Sequence, residues 1–112
     1  MGQTFPPIVR FLRNLKEFRI ERAILFGSRA RGDWLKESDW DLLLVSPDFA
    51  GLSFQERIKR ALDSWKGPMD LEVLCYTPEE LSRKSRQIGI VQTALREGIE
   101  IFSSHRPNQK AA

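Results

Sequence analysis

Gly27-Ser28 and Asp39-Trp40-Asp41, separated by residues 29–38, are where residue type and spacing first point to chemistry. An apolar run, Arg22-Ala23-Ile24-Leu25-Phe26, breaks at the Gly-Ser pair, and a second apolar run opens on the two acids. Successive side chains of a strand point to opposite faces, so Asp39 and Asp41 share one face and Trp40 and Leu42 the other. Two carboxylates about 7 Å apart along a strand repel each other and lose hydration when partly buried. A cation relieves both penalties. Hard oxygen ligands on rigid strands suit magnesium, which keeps several waters and is completed by substrate phosphates. In two-metal sites one ion activates the attacking oxygen while the other holds the phosphates and leaving group. Gly27 permits close backbone approach to a phosphate, the Ser28 hydroxyl and N–H can donate to it, and Arg29 and Arg31 add positive charge nearby. Met69 to Tyr76 reads as a further strand on which Asp70 and Glu72 share one parity, so a third carboxylate can come from either. Together these parts describe chemistry on a nucleoside triphosphate. Gly27 and Gly32 imitate the glycine spacing of a P-loop, but Asp33-Trp34 stands where that motif demands Lys followed by Ser or Thr, and no G-x-G-x-x-G is present.

Periodicity and punctuation define the elements that must hold these residues. After Pro6-Pro7, the residues Ile8, Phe11, Leu12, Leu15 and Phe18 recur at helical spacing with Arg10, Arg13, Lys16 and Glu17 opposite, which predicts an amphipathic helix. Strands follow at 22–26 and 40–45, the second stopped by Ser46-Pro47. Phe54, Ile58, Ala61, Leu62 and Trp65 predict a second helix, closed by Lys66-Gly67-Pro68. Thr77-Pro78-Glu79-Glu80 combines an N-cap threonine, a proline at the first helical position and a capping-box glutamate, so a helix starts there and is expected to reach Glu97. Gly98 is expected at its C′ position, and Ile99 to Phe102 as a short edge strand. The order helix-strand-strand-helix-strand-helix-strand implies the α+β class, a small mixed sheet with helices packed on it. Residues 1–102 are expected to form one domain and the polar residues 103–112 a disordered tail.

At 112 residues, 41% of them hydrophobic, the chain is one ordinary globular domain with little room for a separate substrate domain. The net charge of +3 and the pI of about 9.4 hide a pattern. Residues 1–32 hold seven Lys/Arg against two acids, residues 33–80 five against eleven, and residues 81–112 six against two. An acidic middle third inside a basic protein reads either as a solvated face or as a cation site, and the basic flanks suit polyanions such as nucleotides or nucleic acid. Composition alone does not choose. The single cysteine, Cys75, excludes an intrachain disulfide and a Cys-rich zinc site and fits a reducing compartment. No apolar run approaches the roughly 20 residues of a membrane span. The N-terminal residues lack the regions of a signal peptide, so a cytoplasmic location is expected.

The spaced signature Gly27-Ser28, ten residues, Asp39-Trp40-Asp41 resembles that of the minimal nucleotidyltransferases, within the DNA polymerase β-like superfamily. Ala30-Arg31-Gly32 and Ser38-Asp39 match the wording around it, and Met69-Asp70-Leu71, Thr77-Pro78-Glu79-Glu80-Leu81 and Glu97-Gly98-Ile99 extend the resemblance over roughly residues 8–102. The resemblance implies a polymerase β-like palm, two magnesium ions, and transfer of a nucleoside monophosphate from a triphosphate such as ATP with release of pyrophosphate. It assigns the metal pair to Asp39 and Asp41 and the triphosphate turn to Gly27 and Ser28. The third acid matches Asp70, with Glu72 as the alternative of the same parity. It also implies a helical HEPN-domain toxin as partner, with a tyrosine of that toxin as acceptor of AMP.

Other residues carry blander expectations. Trp34 is set either to stack on a base or to pack on the sheet edge, and Arg29 and Arg31 either to hold phosphate or to pair with nearby acids. Asp33, Lys36 and Glu37 read as solvated loop residues, Trp40 and Trp65 as core, Cys75 as a buried small residue, and His105 as a lone tail residue without a metal or base role. Arg83, Lys84 and Arg86 form a basic patch that is ordinarily a solvated face. Two other function classes compete with the enzyme: an antitoxin that only binds its toxin while keeping the nucleotide site, and a small nucleic-acid-binding module resting on the basic flanks. Intact Gly27, Ser28, Asp39 and Asp41 favour the enzyme.

Overall fold

The structure, a computed structural model, describes residues 5–32 and 39–103. Asp33, Trp34, Lys36, Glu37 and His105, together with the expected tail from residue 104 onward, lie outside the described residues. Helix α1 (Pro6–Asn14) opens on two prolines, whose fixed φ suits the first helical positions, and buries Ile8 and Phe11. It ends before the predicted periodicity does. Leu15 and Phe18 still reach the core, because the chain turns back on itself through N–H bonds from Leu15 and Lys16 and is then tied by the Arg19 N–H to the Asp48 carboxylate at 2.7 Å.

Strand β1 (Arg22–Phe26) leads through Gly27 into a one-turn helix, α2 (Ser28–Arg31), and β2 (Trp40–Val45) follows. A 3₁₀ turn at Pro47–Phe49, capped by the Ser46 side chain, buries Phe49. Helix α3 (Phe54–Leu62) starts on the Ser53 cap and stops three residues short of the predicted Trp65. Trp65 instead packs on the core from the following turn, and its indole N–H donates to the Met69 carbonyl at 2.7 Å. Strand β3 (Leu71–Tyr76) is followed by α4 (Pro78–Lys84), α5 (Ile90–Glu97) and β4 (Ile99–Ser103), the last one residue longer than expected.

The single helix expected from Thr77 to Glu97 is therefore two. Its start is as predicted: the Thr77 side chain accepts from the Glu80 N–H and the Glu80 carboxylate accepts from the Thr77 N–H. Its middle, Ser82-Arg83-Lys84-Ser85-Arg86-Gln87, offers no apolar side chain to hold a helix on the sheet, and tertiary packing supplies most helical stability. The chain tightens there, with Arg86 and Gln87 donating to carbonyls three residues back. The break lets Leu81 from α4 and Val91 and Ala94 from α5 pack on one sheet face. Gly98 ends α5 with φ −79°, so it is no left-handed cap; a Cβ there would collide with the Ala94 carbonyl and Ile24.

The sheet order is β3-β2-β1-β4, with β1 antiparallel to β2 and β4 and β2 parallel to β3. Alternation divides the core between its two faces. Ala23, Leu25, Trp40, Leu42, Leu44, Leu71, Val73 and Cys75 meet Ile8 and Phe11 of α1 and Ala61 of α3. Ile24, Phe26, Leu43, Val45 and Tyr76 meet α4 and α5. Burial pushes the Cys75 thiol up to about 12, which leaves it an inert core residue. Among the described residues no helix is long and apolar enough to cross a membrane.

Candidate active site

The α4/α5 face of the sheet carries its apolar residues toward one end and acids at the other. Strand register creates a row across three strands: Phe26 pairs with Asp41, and Asp41 pairs with Glu72. Parity puts Asp41 and Glu72 on the face opposite Trp40 and Leu71, both of which are buried on the α1/α3 side. Asp39 precedes β2 and is exposed, while Asp41 is partly buried. Burial holds the Asp41 carboxyl above the ordinary carboxylate range, and the negative charges of Glu72 and Asp39 and a hydrogen bond with Glu72 push it the same way. Two acids in contact with a third nearby form a site that gains from positive charge.

The candidate third acids are thereby told apart in position. Glu72 meets Asp41 directly, whereas Asp70 lies one residue before β3, exposed, and uses its carbonyl to accept the Trp40 N–H at 2.9 Å. The arginines separate as well. Arg29 is buried with its guanidinium 4.0 Å above the Trp40 ring, a cation–π contact on the opposite side of the sheet from Asp41. Arg31 is exposed and borders the cavity at Asp41.

Gly27 brings the turn and the acid together. Its φ of +80° and ψ of −160° belong to a region that glycine alone occupies readily, and a Cβ added there would run into the Asp41 carboxylate. The turn then enters α2, where Ala30 and Arg31 donate to the Gly27 carbonyl and Gly32 donates to that of Ser28. Ser28 thus stands at a helix start beside Asp41, where N–H groups lack intrahelical acceptors. Gly27→Ala is expected to cost about 2 kcal/mol of stability from backbone strain, read as a lowered urea midpoint, and to displace Asp41. Wild-type stability in this variant would contradict the close approach.

A cavity of about 230 Å³ adjoins these groups. Phe26, Gly27, Arg31 and Asp41 form one wall, and Ile90, Thr93 and Glu97, at i, i+3 and i+7 on α5, form the other. The α5 residues belong to no motif, and sequence reasoning missed them. The signal available was their position one face away from Val91 and Ala94, which are buried.

The oxygen-only donors fit magnesium. Among the described residues no three ligands stand preassembled as a metal cage, and magnesium is ordinarily held by one or two carboxylates completed by water and substrate phosphates.

A family model described as the nucleotidyltransferase domain matches residues 8–101, nearly the whole described chain. The chain belongs to the nucleotidyltransferase domain family. A Methanocaldococcus jannaschii protein named as a protein adenylyltransferase is 51% identical to this nucleotidyltransferase domain over 37 residues, which span 33% of this chain and 37% of that protein. Three solved structures share the fold. One is a Sulfolobus solfataricus protein described as a nucleotidyltransferase, with TM-score 0.54 and 24% identity over 93% of each chain. The second is a chain of a toxin–antitoxin structure with AMP-PNP, with TM-score 0.56 and 20% identity over 94% of this chain and 77% of that one. The third is a spectinomycin adenyltransferase of Enterococcus faecialis solved with ATP and spectinomycin, with TM-score 0.58 and 16% identity over 96% of this chain and 59% of that one.

Proposed function

We propose that this nucleotidyltransferase is magnesium-dependent and transfers AMP from ATP to a hydroxyl of a partner protein, as the antitoxin of a HEPN-type toxin. The observation that carries the reading is the contact of Asp41 with Glu72 beside the Gly27-Ser28 turn. Asp39, Asp41 and Glu72 would hold magnesium, which when bound supplies charge neutralisation for the triphosphate and polarisation of the attacking oxygen. Gly27 and Ser28 would hold phosphate oxygens, with Arg31 beside them; Arg29 would support the turn from behind by its stack on Trp40. The acceptor oxygen bonds to the α-phosphorus as the bond to pyrophosphate breaks. The hydroxyl proton passes to a site carboxylate or to water. The named activity of the M. jannaschii relative and the toxin–antitoxin neighbour with AMP-PNP support a protein acceptor.

The deciding experiment mixes the protein with its cognate partner, ATP and magnesium and weighs the partner intact. Steps of about one nucleoside monophosphate are expected, and they should vanish without magnesium. A partner that binds tightly yet never changes mass makes the protein a binding-only antitoxin. The third acid is tested in the same assay. Glu72→Gln should depress transfer about 100-fold, and Asp70→Asn should be mild. The reverse ranking returns the role to Asp70.

A further inference from the structure

We propose that Glu97 and Thr93 of α5 read the ribose of the bound nucleotide and make the site selective for ribonucleotides over 2′-deoxyribonucleotides. This rests on the reading of the site as a nucleotide pocket. The cavity beside Asp41 is about 230 Å³ and open to solvent, room for the sugar of a nucleotide whose other parts extend along the surface. Its two walls differ in what they can bind. On the first wall, Gly27 and Arg31 offer N–H and guanidinium donors, with Ser28 next in the turn, which suit phosphate oxygens. The Asp41 carboxylate beside them is the one whose charge a bound magnesium would offset. On the α5 wall, Glu97 is a carboxylate that only accepts hydrogen bonds and repels phosphate, and Thr93 is a hydroxyl that both donates and accepts. The phosphates must therefore lie toward the Gly-Ser turn, and the group joined to the α-phosphate, the sugar, faces Glu97.

A vicinal diol is the chemistry such a wall recognises. One hydroxyl donates to the Glu97 carboxylate, and the other exchanges a hydrogen bond with Thr93. Ile90, one helical turn N-terminal to Thr93 and more than half exposed, gives an apolar surface for the base beyond the sugar. Glu97 is also within 3.4 Å of the Arg96 guanidinium, an exposed pair that leaves the carboxylate about half accessible and competes weakly with a ligand.

Equilibrium binding of ATP and 2′-deoxy-ATP to the full chain with magnesium tests this without recourse to transfer. The wild type is expected to bind ATP about tenfold more tightly, the effect of one hydrogen bond to a charged acceptor. Glu97→Ala should bring ATP to the affinity of 2′-deoxy-ATP, which assigns the 2′-hydroxyl to Glu97. Thr93→Val removes the partner of the 3′-hydroxyl that both ligands carry, so it should weaken both several-fold and leave their ratio unchanged. Glu97→Gln, which keeps an acceptor and loses the charge, should fall between. Equal affinities in the wild type overturn the inference, as does equal weakening of both ligands by Glu97→Ala. A change in preference among ATP, CTP and GTP with an unchanged sugar ratio assigns Glu97 to the base and overturns it too. If the wild type binds no triphosphate at all, the nucleotide-site reading itself falls, an outcome separate from the others.

Discussion

Asp41→Asn is expected to lower nucleotidyl transfer by about 100-fold or more while making the ligand-free protein more stable at neutral pH. The two effects have one cause. Asp41 is partly buried and faces Glu72 and Asp39, so its carboxyl is held above its ordinary value in the folded chain. The folded state then binds more protons than the unfolded state between the ordinary carboxylate value and the raised one. Stability contributed by that proton is full below the ordinary value and is lost as pH rises through the raised one. Asparagine carries no charge to expel, so the variant's stability should stay flat across that window. Thermal melts of both proteins from acid to neutral pH read the difference, and the mass assay reads the loss of transfer. Magnesium and ATP together should stabilise the wild type far more than the variant. Parallel pH profiles, or transfer at the wild-type rate, would remove Asp41 from the metal-binding role.

Arg57→Ala is expected to destabilise the fold by about 3 kcal/mol, a large share of what holds a domain of this size together. The Arg57 side chain is 5% exposed. Its guanidinium forks onto both oxygens of Glu80 at 2.7 and 3.1 Å and donates to the Cys75 carbonyl at 2.9 Å and the Leu52 carbonyl at 3.0 Å. It also lies 4.8 Å from the Phe54 ring centroid. Removing it orphans a buried carbonyl and leaves the Glu80 carboxylate without its partner. That carboxylate is a quarter exposed, so water recovers part of the loss. Arg57→Lys should restore little, because an ammonium cannot reproduce the fork. The hydrogen bond from Arg57 holds the Glu80 carboxyl below its usual range, so this stabilisation is present above the ordinary carboxylate value and is lost as pH falls through the lowered one. A urea midpoint within error of the wild type in Arg57→Ala would contradict the role of the pair.

The Gly27-Ser28 turn and the acid pair at the start of β2, Asp39 just before it and Asp41 within it, were legible in the sequence because each is a local fact, a break in an apolar run followed by alternation. The choice between Asp70 and Glu72 was not local. Both obey one parity, and only the parallel register of β2 with β3 puts Glu72 opposite Asp41. Arg29 and Arg31 look alike two residues apart, yet Trp40 claims the first from across the turn. The break between α4 and α5 was foreshadowed by a polar stretch, but the strong capping box at Thr77 says how a helix begins and nothing of how far it runs. Ile90, Thr93 and Glu97 gain significance only because α5 ends where β1 and β2 leave the sheet's acidic end open.

Parallel pairing also sets the order in which the acids meet during folding. β1 and β2 form an antiparallel pair joined by residues 27–39, whereas β3 reaches β2 only after the longer crossover through α3. Closing the shorter loop costs less entropy, and non-local parallel pairing is slow. Asp41 is therefore expected to be placed before β3 docks, in the company of Asp39 alone, with the contact to Glu72 formed on docking. On that order, repulsion between Asp41 and Glu72 weighs on the native state more than on the transition state before it, so relieving it should slow unfolding and scarcely change folding. A cation bridging the two strands would act as a clasp on that edge of the sheet, lengthening the lifetime of the folded chain without changing how quickly it is reached.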